Sequence, residues 1–178
     1  MALLGKNFVF IHVPRTGGTS IRKSLEGSEV LHNHCLYRHL KIESKTVFGF
    51  IREPVGWITS MYYYVKAHPE HYDHQFTNNI DEYILHYVEK MQVEPFNHGT
   101  DYYCQQGDYF TNNAGENPLI FKYEQRAMAF QQLRKVGINI DDQLKLNANV
   151  IAEKEEMSLG VSEIFRAAFP DDFKQYTT

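Results

Sequence analysis

The chain has 178 residues, 43% of them hydrophobic, with 12 Tyr, 12 Phe and one Trp. This is enough apolar bulk for a real core and argues against a disordered chain. The net charge of −4 is unevenly spread: residues 1–66 hold nine Lys and Arg against four Glu, and the remainder hold nine against eighteen acidic residues. A basic first third on an acidic protein suggests a local anion site and argues against a broad nucleic-acid surface.

Residues 7–13 (Asn-Phe-Val-Phe-Ile-His-Val) are β-branched and aromatic and are punctuated by Pro14, which predicts a short buried strand. Gly17-Gly18 follows, and a helix is predicted to start there and end near Gly27. Residues 46–51 read as a second strand stopped by Pro54, followed by a helix carrying Trp57, Ile58, Met61 and Val65. Residues 67–79 are polar and irregular. Ile80, Tyr83, Ile84, Tyr87, Val88 and Met91 recur at helical spacing, with Asp81 and Glu82 suited to the N-terminal dipole. Residues 94–117 read as loop or short elements, and 119–123 as a third strand. Ala127, Phe130, Leu133 and Val136 form the next helical stripe, capped by Gly137. A last helix holds Val161, Ile164, Phe165 and Ala168.

With no repeat, linker or low-complexity tract, the chain reads as one domain over 1–178. Strands alternating with helices predict a three-layer α/β fold whose sheet is mainly parallel and flanked by helices. Such sheets bind ligands beyond the carboxyl ends of their strands. The apolar run Phe8–Ile11 falls far short of the ~20 residues of a membrane span, and the N-terminus lacks signal-peptide features. The expectation is a soluble, cytoplasmic protein. Cys35 and Cys104 supply neither a disulfide framework nor a four-cysteine metal site.

Beyond the first predicted strand lies Val13-Pro14-Arg15-Thr16-Gly17-Gly18-Thr19-Ser20. Two glycines let the backbone curl closely round an anion, backbone N–H groups and hydroxyls supply donors, and Arg15 supplies a fixed charge that can fork onto phosphate oxygens. The alternative is a plain strand-to-helix turn. This is not a Walker loop: aligning Gly18 and Ser20 with that pattern places Val13 at its first glycine and Thr19 at its lysine. The cation stands upstream of the glycines instead.

Phe50-Ile51-Arg52-Glu53-Pro54 closes the second predicted strand, and Ser60 follows eight residues after Arg52. The pair could hold a second phosphate; alone, it reads equally as a surface Arg and a solvated Ser. Together the two motifs, about thirty residues apart, resemble the sulfotransferases that use 3'-phosphoadenosine 5'-phosphosulfate (PAPS). Residues 13–21 are similar to that family's 5'-phosphosulfate loop, with Arg15 where Lys is common. Residues 50–62 are similar to its 3'-phosphate motif, with Glu53 where Asp is common. The likeness is greatest to the carbohydrate-type branch, which includes heparan and uronyl sulfotransferases and small bacterial relatives. Leu119–Glu124 resembles the family strand ending in Tyr-Glu, and Leu144–Asn147 a late Leu-Asn segment near the cofactor.

The resemblance implies a P-loop nucleotide hydrolase/sulfotransferase-like fold and transfer of a sulfuryl group from PAPS to an acceptor hydroxyl, with adenosine 3',5'-bisphosphate as product. Arg15 would stabilise charge on the bridging oxygen, and Thr16, Gly17, Gly18, Thr19 and Ser20 would cradle the 5'-phosphate. Arg52 and Ser60 would grip the 3'-phosphate. No metal is required. Attack by a hydroxyl needs a base, and His titrates in the useful range. Asn33-His34-Cys35-Leu36-Tyr37 resembles the branch's Gly-His-x-x-Tyr element, which makes His34 the expected base; His32, His39, Glu26 and Glu43 stay as alternatives.

His68, His71 and His74 recur at three-residue spacing around Pro69, which suits an acceptor or gating loop better than a metal site. Tyr62–Tyr64 and Tyr102–Tyr103 could stack on a sugar or adenine ring or could pack in the core. The expected acceptor is a saccharide or small molecule, neutral or weakly charged, with no nucleic-acid or membrane partner, and a homo-oligomer could complete the acceptor cleft. Two other functions fit the motifs: a P-loop small-molecule kinase, and a non-catalytic nucleotide-binding protein that keeps the pocket.

Overall fold

The computed structural model describes residues 2–25, 27–32, 36–40, 42, 44–93, 103–111, 117–141 and 155–178. The chain divides into two compact units, one made of Met1–Glu53 with Gln106–Asn149 and the other of Pro54–Gln105 with Val150–Thr178.

The first unit is built on a five-stranded mixed sheet. Its strands are β1 (Ala2–Leu4), β2 (Phe8–Ile11), β3 (Glu29–His32), β4 (Thr46–Ile51) and β5 (Leu119–Lys122), in the order β3-β1-β2-β4-β5. β2 pairs with β4 and β4 with β5 in parallel, whereas β1 pairs antiparallel with both β2 and β3. The sheet is thus mixed, not mainly parallel as the sequence suggested. The difference comes from β1, which forms a hairpin with β2, and from β3, neither of which carries a strong strand signature.

The hairpin turns at Gly5, whose N–H donates to the Phe8 carbonyl at 2.9 Å. Lys45 holds the same turn from outside, its Nζ donating to the Gly5 and Lys6 carbonyls at 2.8 and 2.6 Å. β2 and β4 are buried along almost their whole length, as their continuous apolar runs require for central strands. One sheet face carries Leu3, Phe8, Phe10, Phe48 and Phe50 and is covered by Ile21 and by Ala129, Phe130 and Leu133. These covering residues come from α1 (Gly18–Ser24) and α4 (Arg126–Lys135). The Phe10 and Phe48 rings lie 5.2 Å apart across the parallel pair, and Phe50 meets Phe130 edge-on at 6.0 Å. On the other face Gly49 leaves room for the Phe110 ring.

Helix α4 ends as its sequence predicts. Gly137 adopts φ 79°, its N–H reaches the Arg134 carbonyl at 3.1 Å, and the Ile138 N–H reaches Leu133 at 2.9 Å. This is a Schellman cap, and Leu133 and Ile138 make its apolar contact.

The second unit is helical: α2 (Pro54–Lys66), α3 (Ile80–Val93), α5 (Leu159–Ala168) and α6 (Pro170–Thr177). Their shared core includes Trp57, Tyr62, Ile84, Tyr87, Phe165 and Phe169. α2 follows Glu53 directly, with Pro54 at its first position, where the missing N–H leaves no helical bond unmade. Ser158 caps α5, accepting the Val161 N–H, and only Phe169 separates the end of α5 from the start of α6 at Pro170. No helix among the described residues is long and apolar enough to cross a membrane.

Candidate functional site

The candidate site lies within the first unit, at the carboxyl edge of its parallel strands. Ile11 pairs with Gly49, and Ile51 with Lys122. Strands β2, β4 and β5 are neighbours and run the same way, so the segments that leave them emerge side by side. Those segments are the loop 13–20, Arg52, and Tyr123 with the start of α4.

The loop has backbone of alternating sign. Arg15 has φ 62° and Gly17 has φ 78°, with Thr16 and Gly18 at negative φ. Alternation of this kind turns successive N–H groups toward one side and makes a concavity for an anion. The Thr16 hydroxyl is fully buried and donates to the Val13 carbonyl at 2.7 Å, so it fixes the loop's shape from within. The Gly17 carbonyl accepts the N–H groups of Ser20 and Ile21 at 3.1 and 3.4 Å, which leaves those of Gly18 and Thr19 as the first donors of α1. Thr19 is exposed, and Arg15 and Ser20 are half-buried.

Both glycines are required by what surrounds them. At Gly17, a β-carbon would stand 2.7 Å from Tyr123 Cε2. At Gly18, a β-carbon would collide with the His12 imidazole, which stacks on Phe10 with ring centroids 5.9 Å apart.

Arg52 is the first residue past β4. Its N–H donates to Gln106 Oε1 at 2.7 Å and its carbonyl accepts from Gln106 Nε2 at 2.9 Å. The Gln106 amide, 1% exposed, therefore fixes the Arg52 backbone in both directions. The Arg52 guanidinium lies over the Tyr123 ring, 5.6 Å from its centroid, and the Arg126 guanidinium lies 5.1 Å from the same centroid. Next to Arg52, the Glu53 N–H donates to Glu124 at 3.2 Å. Among the described residues, neither Arg52 nor Arg126 pairs its guanidinium with a carboxylate.

The structure thus brings Arg15, Thr16, Gly17, Gly18, Thr19, Ser20 and Arg52 to one sheet edge. Ser60 is placed half-buried on α2, in the second unit. His34, with Asn33 and Cys35, lies outside the described residues, as do Glu26, Glu43 and Leu144–Asn147. His32 is the last residue of β3, and His39 is exposed at the end of a 3-10 turn over Tyr37–His39. Sequence reasoning missed His12, Gln106 and Arg126. No short motif marks Gln106 or Arg126, whereas His12 directly precedes the loop and could have been weighed with it. Tyr123 was visible only as the end of a Tyr-Glu strand.

The motif-like aromatic and histidine residues of the second unit serve its own architecture. His68 Nδ1 faces the Tyr64 carbonyl at 2.6 Å and His74 Nδ1 the Val65 carbonyl at 3.2 Å, so two imidazoles satisfy carbonyls in the last turn of α2. His71 Nδ1 accepts the Asp73 N–H at 3.2 Å. Among the described residues no group of three or more His, Cys, Asp or Glu is placed to hold a metal ion.

Tyr62 is fully buried, with its hydroxyl between Lys66 and Glu155 at 2.7 and 2.8 Å; Tyr63 accepts the Glu155 N–H. Burial raises the Tyr62 pKa, while the hydrogen bond and charge of Lys66 hold the Glu155 carboxyl below its ordinary range. Tyr103 is buried and donates to both Asp73 oxygens at 2.7 and 2.9 Å, and His86 Nε2 meets Asp73 Oδ1 at 2.8 Å. Burial above all, with hydrogen bonds to Tyr72 and Asp73, pushes the Tyr103 hydroxyl far above its ordinary pKa. It therefore stays protonated and donates.

Comparison of the chain with protein-family models, with curated proteins and with solved structures gives no match.

Proposed function

We propose that the chain is a PAPS-dependent sulfotransferase that acts on an acceptor hydroxyl, on a saccharide or a small molecule. The observation that carries this reading is the pairing of β2 with β4. As parallel neighbours they deliver the glycine loop and an Arg52 guanidinium without a carboxylate partner among the described residues to one edge of one sheet. A ligand with two separated anionic groups matches two such cationic positions better than a ligand with one.

The residues present suit the donor nucleotide. Gly17 and Gly18 bring backbone close to a ligand where a side chain would strike Tyr123 or His12. When bound, the donor supplies an activated sulfuryl group attached to a phosphate leaving group. Arg15 would hold the oxygens of that phosphate and stabilise the charge that develops there. A guanidinium keeps its proton at any working pH, so its help is electrostatic. Thr16 would act indirectly, by holding the loop through its bond to Val13. Gly17, Gly18, Thr19 and Ser20 would surround the 5'-phosphate.

Arg52 would take the 3'-phosphate, with its backbone held by Gln106. His34 is assigned the acceptor's proton on its own motif. Transfer of this kind is mostly positioning and charge stabilisation, which suits a site built from rigid strand ends.

Calorimetry with adenosine 3',5'-bisphosphate and 5'-AMP tests the reading. Tighter binding of the bisphosphate, lost in Arg52→Gln, is the expected result. Equal binding of the two nucleotides would contradict it. A kinase would instead show magnesium-dependent ATP binding. A protein that only binds nucleotide would give bisphosphate binding with no sulfate transfer across an acceptor screen.

A further inference from the structure

The Tyr123 ring carries two guanidiniums. Arg52 reaches it from the end of β4, and Arg126 from the first position of α4. Neither has a carboxylate partner among the described residues; the Glu124 side chain, two positions before Arg126, accepts the Glu53 N–H. Two like charges drawn to one ring repel each other, while the ring's quadrupole attracts each of them. A bound dianion would remove the conflict.

Arg126 is also at the wrong end of its helix. A cation at a helix N-terminus opposes the dipole, and α4 has no acidic residue in its first turn to compensate. Departures from local rules concentrate at functional or strained positions. Arg126 is exposed, so its head group can meet a ligand, and its ring partner touches the anion loop at Gly17.

We infer that Arg126 is a second anion-binding residue beside Arg52, and that the two guanidiniums together hold one phosphomonoester dianion above Tyr123. This rests on the reading of the sheet edge as a bisphosphate nucleotide site. The dianion is the 3'-phosphate, because Arg126 shares its ring with Arg52, the residue assigned to that group.

The test is calorimetry of the whole chain and of Arg126→Gln and Arg126→Lys, each with adenosine 3',5'-bisphosphate and with 5'-AMP. Arg126→Gln is expected to weaken bisphosphate binding tenfold or more and to leave 5'-AMP binding within twofold. Arg126→Lys should recover part of the loss, since it restores charge without the fork. Arg126→Gln should also melt no lower than the parent without ligand, because it removes a cation from a helix N-terminus. This separates a lost ligand contact from a lost fold. Unchanged bisphosphate binding in Arg126→Gln would overturn the inference and leave the Arg52 site standing. Equal weakening of both nucleotides would overturn the assignment of Arg126 to the 3'-phosphate. Equal affinity of the parent chain for the two nucleotides would remove the site itself, and the inference with it.

Discussion

Tyr123 closes on Gly17: a β-carbon at Gly17 would lie 2.7 Å from Tyr123 Cε2, and the opposite demand comes from the Arg52 guanidinium, drawn to the same ring at 5.6 Å. One tyrosine thus ties the glycine loop to the cation at the neighbouring strand end. Gly17→Ala meets two penalties there. Left-handed backbone at φ 78° costs an alanine about 1–2 kcal/mol, and the added methyl must displace the ring. The variant is expected to lose about 1–3 kcal/mol by urea unfolding and to bind adenosine 3',5'-bisphosphate at least tenfold more weakly. Parent-like stability and binding would show that the ring does not set the loop.

Gln106 should behave as a positioning residue. Gln106→Leu keeps the side chain's bulk but removes both bonds to the Arg52 backbone, leaving a donor and an acceptor without their partner. A loss of about 1–3 kcal/mol is expected. Bisphosphate affinity should fall while 5'-AMP affinity changes little. Gln106→Glu keeps the acceptor for the Arg52 N–H but sets a buried carboxylate oxygen against the Arg52 carbonyl, so it should be no milder than Gln106→Leu.

Acid should act on the second unit through Glu155. Its carboxyl is held below the ordinary range chiefly by the Lys66 hydrogen bond, with Tyr62 and the Ile80 N–H assisting. A depressed carboxylate stabilises the fold fully above its unfolded pKa of about 4.3, and that stability disappears as pH falls through the folded value. The Lys66 and Glu155 side chains are 41% and 38% exposed, so solvent screening limits the effect to roughly 0.5–1 kcal/mol. Glu155→Gln is expected to flatten the pH dependence of melting below about pH 4.3. An unchanged slope would place the acid sensitivity elsewhere.

The Asp73–His86–Tyr103 cluster is expected to be structural. Tyr103→Phe removes a buried donor from both Asp73 oxygens and leaves the carboxylate with fewer partners. A loss of about 1–3 kcal/mol follows, measurable by thermal unfolding, with bisphosphate binding unaltered at temperatures where the variant is folded. A change in affinity without a change in stability would instead assign the cluster to the ligand.

Long periodic elements were legible in the sequence. Helices α2, α3 and α4, strand β4 and the cap at Gly137 fall where spacing and punctuation place them. Short elements were not. Ala2–Leu4 is a three-residue strand without a β-branched side chain, yet Ala2 and Leu3 are buried because β2 and β3 flank it. Glu29–His32 is a polar edge strand whose Val30 is exposed, so only pairing with β1 defines it. α6 was hidden because Pro170 reads as a terminator when it is the first residue of a new helix. For the site, the glycine loop and Arg52 were visible because their residue types state their chemistry. Gln106 was not, since a single amide 54 positions from Arg52 acquires its role only through folding. The tyrosine run at 62–64 showed the converse: aromatic residues that could stack on a ligand are held by Glu155 and His68 instead.

The edge shared by β2 and β4 is proposed to bind a nucleotide through two separate phosphates. Calorimetric titration of the unmodified chain with adenosine 3',5'-bisphosphate and with 5'-AMP, at one salt concentration, tests it most directly. The bisphosphate should bind at least tenfold more tightly, and Arg52→Gln should abolish the difference. Equal affinities in the parent chain, or a preference that survives Arg52→Gln, would contradict it.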